Sequence, residues 1–244
     1  MKIFDIHSHF GPTSSGEDTS VHEMQCTLQS FGISKVGISC LSGNSMSMQN
    51  DLIYRAMQAS PDFIEGYAFI NPKAPDAVEE VEKCLSVYKM NGIKLHSWKH
   101  GYYPDNRPEL HAIFDEIKKY DVHVQTHVGT APLSTPYIWA EWARRYPEID
   151  FVFTHTGYYE FGYSTIEAVK NLSNVKVETS GQMDVGVLKA AINILGPKRM
   201  VFGTDWPYKP VNIEIEKFSH FNLKDNELED IFYRNAASLW REKI

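Results

Sequence analysis

Eight short apolar runs, each followed by a helix-patterned stretch, predict an α/β protein: a closed (β/α)8 barrel forming one domain over residues 1–244. Strict strand–helix alternation implies a parallel sheet. Eight such units in 244 residues come close to the roughly 250 typical of this barrel. No low-complexity segment or Pro/Gly-rich linker divides the chain, which favours one barrel over two ordinary domains or an open doubly wound sheet.

The strands are expected at 2–8, 34–40, 62–70, 92–96, 121–127, 150–155, 174–179 and 199–204. Helical patterns lie near 20–31, 46–59, 75–90, 108–120, 135–146, 163–171 and 184–195, with a last helical region over about 211–241. Pro75-Asp76 opens a helix whose Val78, Val81, Leu85 and Tyr88 share one face at 3.6-residue spacing, and Asn91-Gly92 stops it. Gly196-Pro197 closes the helix before the last strand in the same way.

Composition narrows the function. With 43% hydrophobic and 13% aromatic residues the chain can fill a large core. Its net charge of -7, with no run of like charges, argues against nucleic acid. No apolar stretch approaches the 18 or so residues of a membrane span, and an apolar run starting at Ile3 leaves no room for a signal peptide. Cys26, Cys40 and Cys84 are odd in number and form no Cys-x-x-Cys pair, so a reducing cytoplasm fits. Gly-x-Gly-x-x-Gly and P-loop motifs are absent.

The barrel places function at the C-terminal ends of its strands. His7, His9, Lys94, His96, His127, His155 and Asp205 all fall there. Side chains two apart on a strand share a face, so His7 aligns with His9 against Phe4, Ile6 and Ser8. Lys94 aligns with His96 against Ile93 and Leu95, and His123 and Gln125 align with His127. Phe151 and Phe153 align with His155, and Val201 and Gly203 with Asp205. Seven polar groups at five strand ends are costly to bury unless they bind something. Imidazoles and a carboxylate converging on one point are how a catalytic zinc is held. A lysine inside the barrel calls for an anion, a substrate group or a modification. His123, far from the mouth, is expected to pack, and Asp5 to pair with a nearby donor. The aromatic loop 97–107 offers Trp98, His100, Tyr102 and Tyr103 as pocket walls, with Tyr158, Tyr159, Trp206 and Tyr208 following other strand ends.

These motifs resemble the amidohydrolase superfamily, in its amidohydrolase-related branch of barrel metal-dependent hydrolases. The resemblance runs through Phe4-Asp-Ile-His-Ser-His9, Gly92-Ile-Lys-Leu-His96, Tyr103-Pro-Asp105 and Val124-Gln-Thr-His-Val-Gly129. It continues with Tyr146-Pro147, Phe151-Val-Phe-Thr-His-Thr-Gly157, Asn174-Val-Lys-Val-Glu-Thr-Ser-Gly181, Phe202-Gly-Thr-Asp-Trp-Pro207 and Asn235-Ala236. Ser97 departs from the proline that relatives carry after the Lys-x-His strand. By the resemblance, His7, His9, His127 and Asp205 match metal ligands, and His155 matches the histidine beside a metal-bound water. Lys94 with His96, Trp98, Tyr103 and Trp206 would meet the substrate.

The resemblance implies a hydrolase with one divalent ion, zinc first, acting on an amide, ester or lactone carbonyl of a small anionic molecule. Asp205 would take the proton of a metal-activated water and His155 would orient that water. The alternative is a non-oxidative decarboxylase of an aromatic or unsaturated carboxylic acid. A nuclease of the TatD type is a minor reading, because Lys94 stands where those enzymes carry a metal-bridging glutamate. A second metal bridged by a carboxylated Lys94 and a homo-oligomer are both left open.

Overall fold

The structure is a computed structural model and describes residues 1–12, 19–43 and 45–241. Eight parallel strands follow one another around a barrel: β1 (Ile3–His9), β2 (Ile33–Ser39), β3 (Ile64–Ile70), β4 (Gly92–Leu95), β5 (His123–Thr126), β6 (Phe151–Phe153), β7 (Val175–Glu178) and β8 (Met200–Val201). The last seam is closed by the segment after β8. There Ile6 N donates to Phe202 O, Asp205 N to His7 O and His9 N to Trp206 O, with Ser8 bridged in parallel to Trp206. The Asp5 carboxylate reinforces this seam, accepting from the backbone nitrogens of His7 and Thr204 and from both hydroxyls of Ser8 and Thr204.

Helices form where the sequence supplies caps and an apolar face. Ser20 and Glu23 make a capping box at Val21–Ser30, and the Asp184 carboxylate caps Val185–Leu195. Two expected helices are broken up. The stretch expected at 75–90 is an α-helix over Ala77–Glu82 that widens into a π-turn over Lys83–Val87. The last region splits into Val211–Glu216, a 3-10 turn over Lys217–His220, and a separate run from Asp225 to Leu239 with a π-turn inside it.

The main apolar core lies between strands and helices and takes Ile93, Leu95, Val124, Phe151, Phe153, Val175, Val177 and Phe202. A second cluster, Phe4, Ile6, Tyr67, Val152, Val201 and Trp240, fills the lower barrel. Trp240 comes from the end of the last helix and lies 4.9 Å from the Phe4 ring, 5.1 Å from Tyr67 and 4.4 Å from His123. Truncating a buried aromatic of this size typically costs about 3–5 kcal/mol.

This second cluster corrects the simple alternation on β1. Phe4 and Ile6 pack with Val152 and Val201, whose strand neighbours face outward, so they point inward below His7 instead of away from it. The pairing of β1 with β2 shifts register between Asp5 and Ser8, and that irregularity lets His7 face inward directly after Ile6. His123 packs as expected, with Nε2 2.9 Å from Tyr67 Oη.

Candidate metal centre

Above this plug a cavity of about 370 Å³ opens at the C-terminal ends of the strands. His7, His9, Lys94, His96, His127, His155 and Asp205 all line it, together with Trp98 from the loop after β4.

The ring nitrogens are fixed by partners beneath the cavity. His7 Nδ1 meets Glu178 Oε2 at 2.9 Å, which turns Nε2 toward Lys94 Nζ at 3.1 Å and Asp205 Oδ1 at 3.8 Å. His9 Nδ1 lies 3.3 Å from the Ser39 carbonyl and 3.1 Å from its hydroxyl, which turns Nε2 onto Asp205 Oδ1 at 3.1 Å. His7, His9 and Asp205 each bring one ligand atom within 4.8 Å of the others. With Nδ1–H donating to the Ser39 carbonyl, the His9 lone pair confronts a carboxylate oxygen. Two acceptors facing each other in a buried site call for a cation between them. Imidazoles held through Nδ1 by a carboxylate or carbonyl are the usual outer support of metal-ligating histidines. The donor set therefore fits a divalent ion.

A second group of close ligand atoms, His7, His155 and Glu178, is a weaker candidate. Glu178 already accepts from His7 Nδ1, the His155 backbone, and both the backbone nitrogen and hydroxyl of Ser180. Its oxygens are committed to holding the histidines. Burial pushes this carboxyl up, and those donors pull it back.

His155 does not reach the cavity by strand alternation. β6 ends at Phe153, and His155, Thr156 and Tyr158 adopt positive φ of 64°, 43° and 50°, with Gly157 at 80°. Such angles are rare for non-glycine residues and persist only where neighbours impose them. Here His155 N donates to Glu178 Oε2, Thr156 Oγ1 donates to Glu178 O at 2.8 Å, and His155 Nδ1 meets Ser180 O at 3.1 Å. The His155 ring stacks on Tyr158 at 3.8 Å. Gly129 (φ 116°) adjoins this turn so closely that a Cβ there would stand 2.5 Å from the Gly157 carbonyl carbon. Asp205 also sits at positive φ, 58°.

His127 lines the cavity but stands outside the His7–His9–Asp205 triangle. Its Nε2 lies 2.8 Å from Thr130 Oγ1, and its ring stacks on His96 at 3.9 Å. Burial holds His7, His9, His96, His127 and His155 below the ordinary histidine range, so they are neutral imidazoles. Lys94 is fully buried, donates to Gln125 Oε1 at 2.8 Å, and is brought down to about 7 by burial against the pull of Asp205 and Glu178.

Of the expected substrate contacts, Tyr103 and Trp206 lie elsewhere. Tyr103 is 47% exposed, at the head of the 3-10 turn Pro104–Asn106. Trp206 is pinned by its backbone to β1 and packs against the outer core. His100 stacks on Phe69 in a side cavity, and Tyr102 is buried in the core. Tyr158, Tyr208, Leu41, Lys99 and Lys209 complete the cavity wall. Glu178 was not singled out by the sequence, although its alternation with Val175 and Val177 at a strand end was a usable signal.

The amidohydrolase family profile matches residues 18–241, and the chain belongs to that family, within a superfamily of enzymes. No curated protein matches the chain. Among solved structures, it is similar to 2,6-dihydroxybenzoate decarboxylase from Rhizobium (16% identity, 98% of each chain, TM-score 0.80). It is also similar to 5-carboxyvanillate decarboxylase from Novosphingobium aromaticivorans, complexed with manganese and 4-hydroxy-3-methoxy-5-nitrobenzoic acid (15% identity, 98% of this chain and 96% of that one, TM-score 0.81). A third is a dihydroxybenzoic acid decarboxylase from Polaromonas with manganese and 2-nitroresorcinol (16%, 98% and 97%, TM-score 0.78). At such identities the likeness is one of fold. The expectation of a hydrolase is met only at the level of the superfamily.

Proposed function

We propose that the protein is a metal-dependent, non-oxidative decarboxylase of a small aromatic or unsaturated carboxylic acid. The observation that carries this reading is a buried lysine, Lys94, beside a cation-ready cluster in a cavity walled by Trp98, Tyr158 and Tyr208. That lining suits a planar acid, and the decarboxylases of like fold act on planar acids.

His7, His9 and Asp205 would hold the ion, and His127, which lines the same cavity, would be a further nitrogen donor if it left Thr130. A divalent ion there supplies positive charge that binds the acid and offsets the negative charge developing as the carbon–carbon bond breaks. Lys94, unmodified, grips the substrate anion from the floor. As carbon dioxide leaves, the electron pair stays on the carbon that bore it, and Asp205 relays to that carbon a proton drawn from water, so that hydrogen replaces the carboxylate. His155, its Nδ1 tied to Ser180, presents a neutral Nε2 as an acceptor that orients substrate or water. Manganese and zinc both suit this nitrogen–oxygen donor set.

The test is carbon dioxide release from a panel of hydroxybenzoates and unsaturated acids by protein loaded with manganese or zinc. Release that depends on metal supports the reading. Hydrolysis of esters or lactones by the same preparation, with no carbon dioxide from any acid, would return the site to hydrolysis, in which Asp205 takes a proton from water.

A further inference from the structure

Among the described residues, the cavity lining holds three lysines, Lys94, Lys99 and Lys209, against one carboxylate, Asp205, in a chain whose net charge is -7. Two of the three are engaged. Lys94 is bound to Gln125 and His7 on the floor, and Lys209 lies over the Tyr158 ring, 5.9 Å from its centroid. Among the described residues, the Lys99 ammonium has neither a carboxylate partner nor an aromatic face. Its position is distinctive. Lys99 lines both the main cavity and a side cavity of about 240 Å³, whose walls include Gln49, Asn71 and His100 and, among the described residues, contain no carboxylate. Burial, with Lys73 and Lys99 close by, holds His100 down at about 4, so its imidazole is uncharged at neutral pH and Lys99 supplies the positive charge of the side cavity.

We infer that the substrate carries a second acid group, distinct from the one facing the His7–His9–Asp205 cluster, and that Lys99 is the specificity-determining residue that receives it where the two cavities meet. The inference rests on the decarboxylase reading for which group reacts, but the recognition of a diacid stands on the cavity alone. Lys94 serves the acid that is lost. Lys99 serves the acid that is retained, so the product keeps one negative charge. A lone ammonium on a flexible stem suits a carboxylate, phosphate or sulfonate at this position, since it offers charge without a fixed fork.

Calorimetric binding to manganese-loaded protein tests this without turnover. The probes are benzoate, benzene-1,3-dicarboxylate and benzene-1,4-dicarboxylate. At least one diacid should bind about tenfold more tightly than benzoate, the scale of one charge-assisted contact. In Lys99→Met the ratio of diacid to benzoate affinity should fall about tenfold, and Lys99→Arg should restore most of it. Diacids binding no better than benzoate would overturn the inference. So would a preference that survives Lys99→Met, including one removed instead by Lys209→Met. Lys99 is solvent-exposed, so the variant should fold, which circular dichroism checks. Because binding is read directly, a protein that prefers diacids yet releases no carbon dioxide would sink the decarboxylase reading and leave this one standing.

Discussion

The Glu178 carboxylate lies 2.9 Å from His7 Nδ1 and 3.0 Å from the backbone nitrogen of His155. One side chain on β7 thus sets the ring of a histidine on β1 and the backbone turn that carries another after β6. Glu178→Gln keeps the shape, removes the charge and turns an amide NH2 toward donors. Metal affinity should fall about 10–100-fold, the usual effect of losing such outer support. Competition with a chelator measures it, and an unchanged affinity would reduce Glu178 to a packing residue.

Replacing His7 and His9 together by alanine removes both imidazoles of the triangle. Metal content, read by elemental analysis, should drop from about one ion per chain to near zero. A double variant that retains its metal would move the centre to other residues, His127 and His155 first.

Asp205→Asn retains one oxygen for the ion but has no proton to pass. Turnover should fall by about 10²-fold or more, the scale of lost acid–base help, while metal content stays near that of the parent. A loss of only a few-fold would leave Asp205 a ligand and nothing else.

His123 gives stability a pH dependence remote from the metal. Burial lowers it from its ordinary 6.5 to about 3. Between those values the unfolded chain binds a proton that the folded chain refuses, so stability rises with pH in that window and drains away as pH falls through it. The slope from this one group is about 1.4 kcal/mol per pH unit. His123→Gln should therefore lose less stability than the parent between pH 6 and pH 5, by about 1 kcal/mol in urea unfolding. Parallel losses in the two proteins would rule His123 out as the source.

The fold was legible because its signal is repetitive: eight strand–helix units set the architecture even where single boundaries slipped. The site was legible as residue types at strand ends, and less so as geometry. His155 and Asp205 lie just beyond strands of three and two residues, in left-handed backbone that no alternation rule can place. Phe4 and Ile6 mislead for a related reason, since a register shift beneath His7 breaks the period of two. Glu178 was easy to pass over because an acid after Val177, alternating with Lys176, reads equally as a solvated strand residue, and only the closed barrel buries it. Tyr103 and Trp206 look like pocket walls in sequence, but nothing in sequence says which way a loop folds back.

The contact of Gly129 with Gly157 divides the rim into two halves with different prospects for change. Between β5 and β6 the wall is main chain against main chain, where any side chain at Gly129 would collide. The rest of the wall, at Leu41, Trp98, Lys99 and Tyr208, consists of side chains carried by the connections after β2, β4 and β8, Trp98 and Lys99 on one helical turn. A descendant of this protein, or a library built from it, can therefore acquire new substrates by altering the second half alone, while the half that carries His127 and His155 is inherited intact.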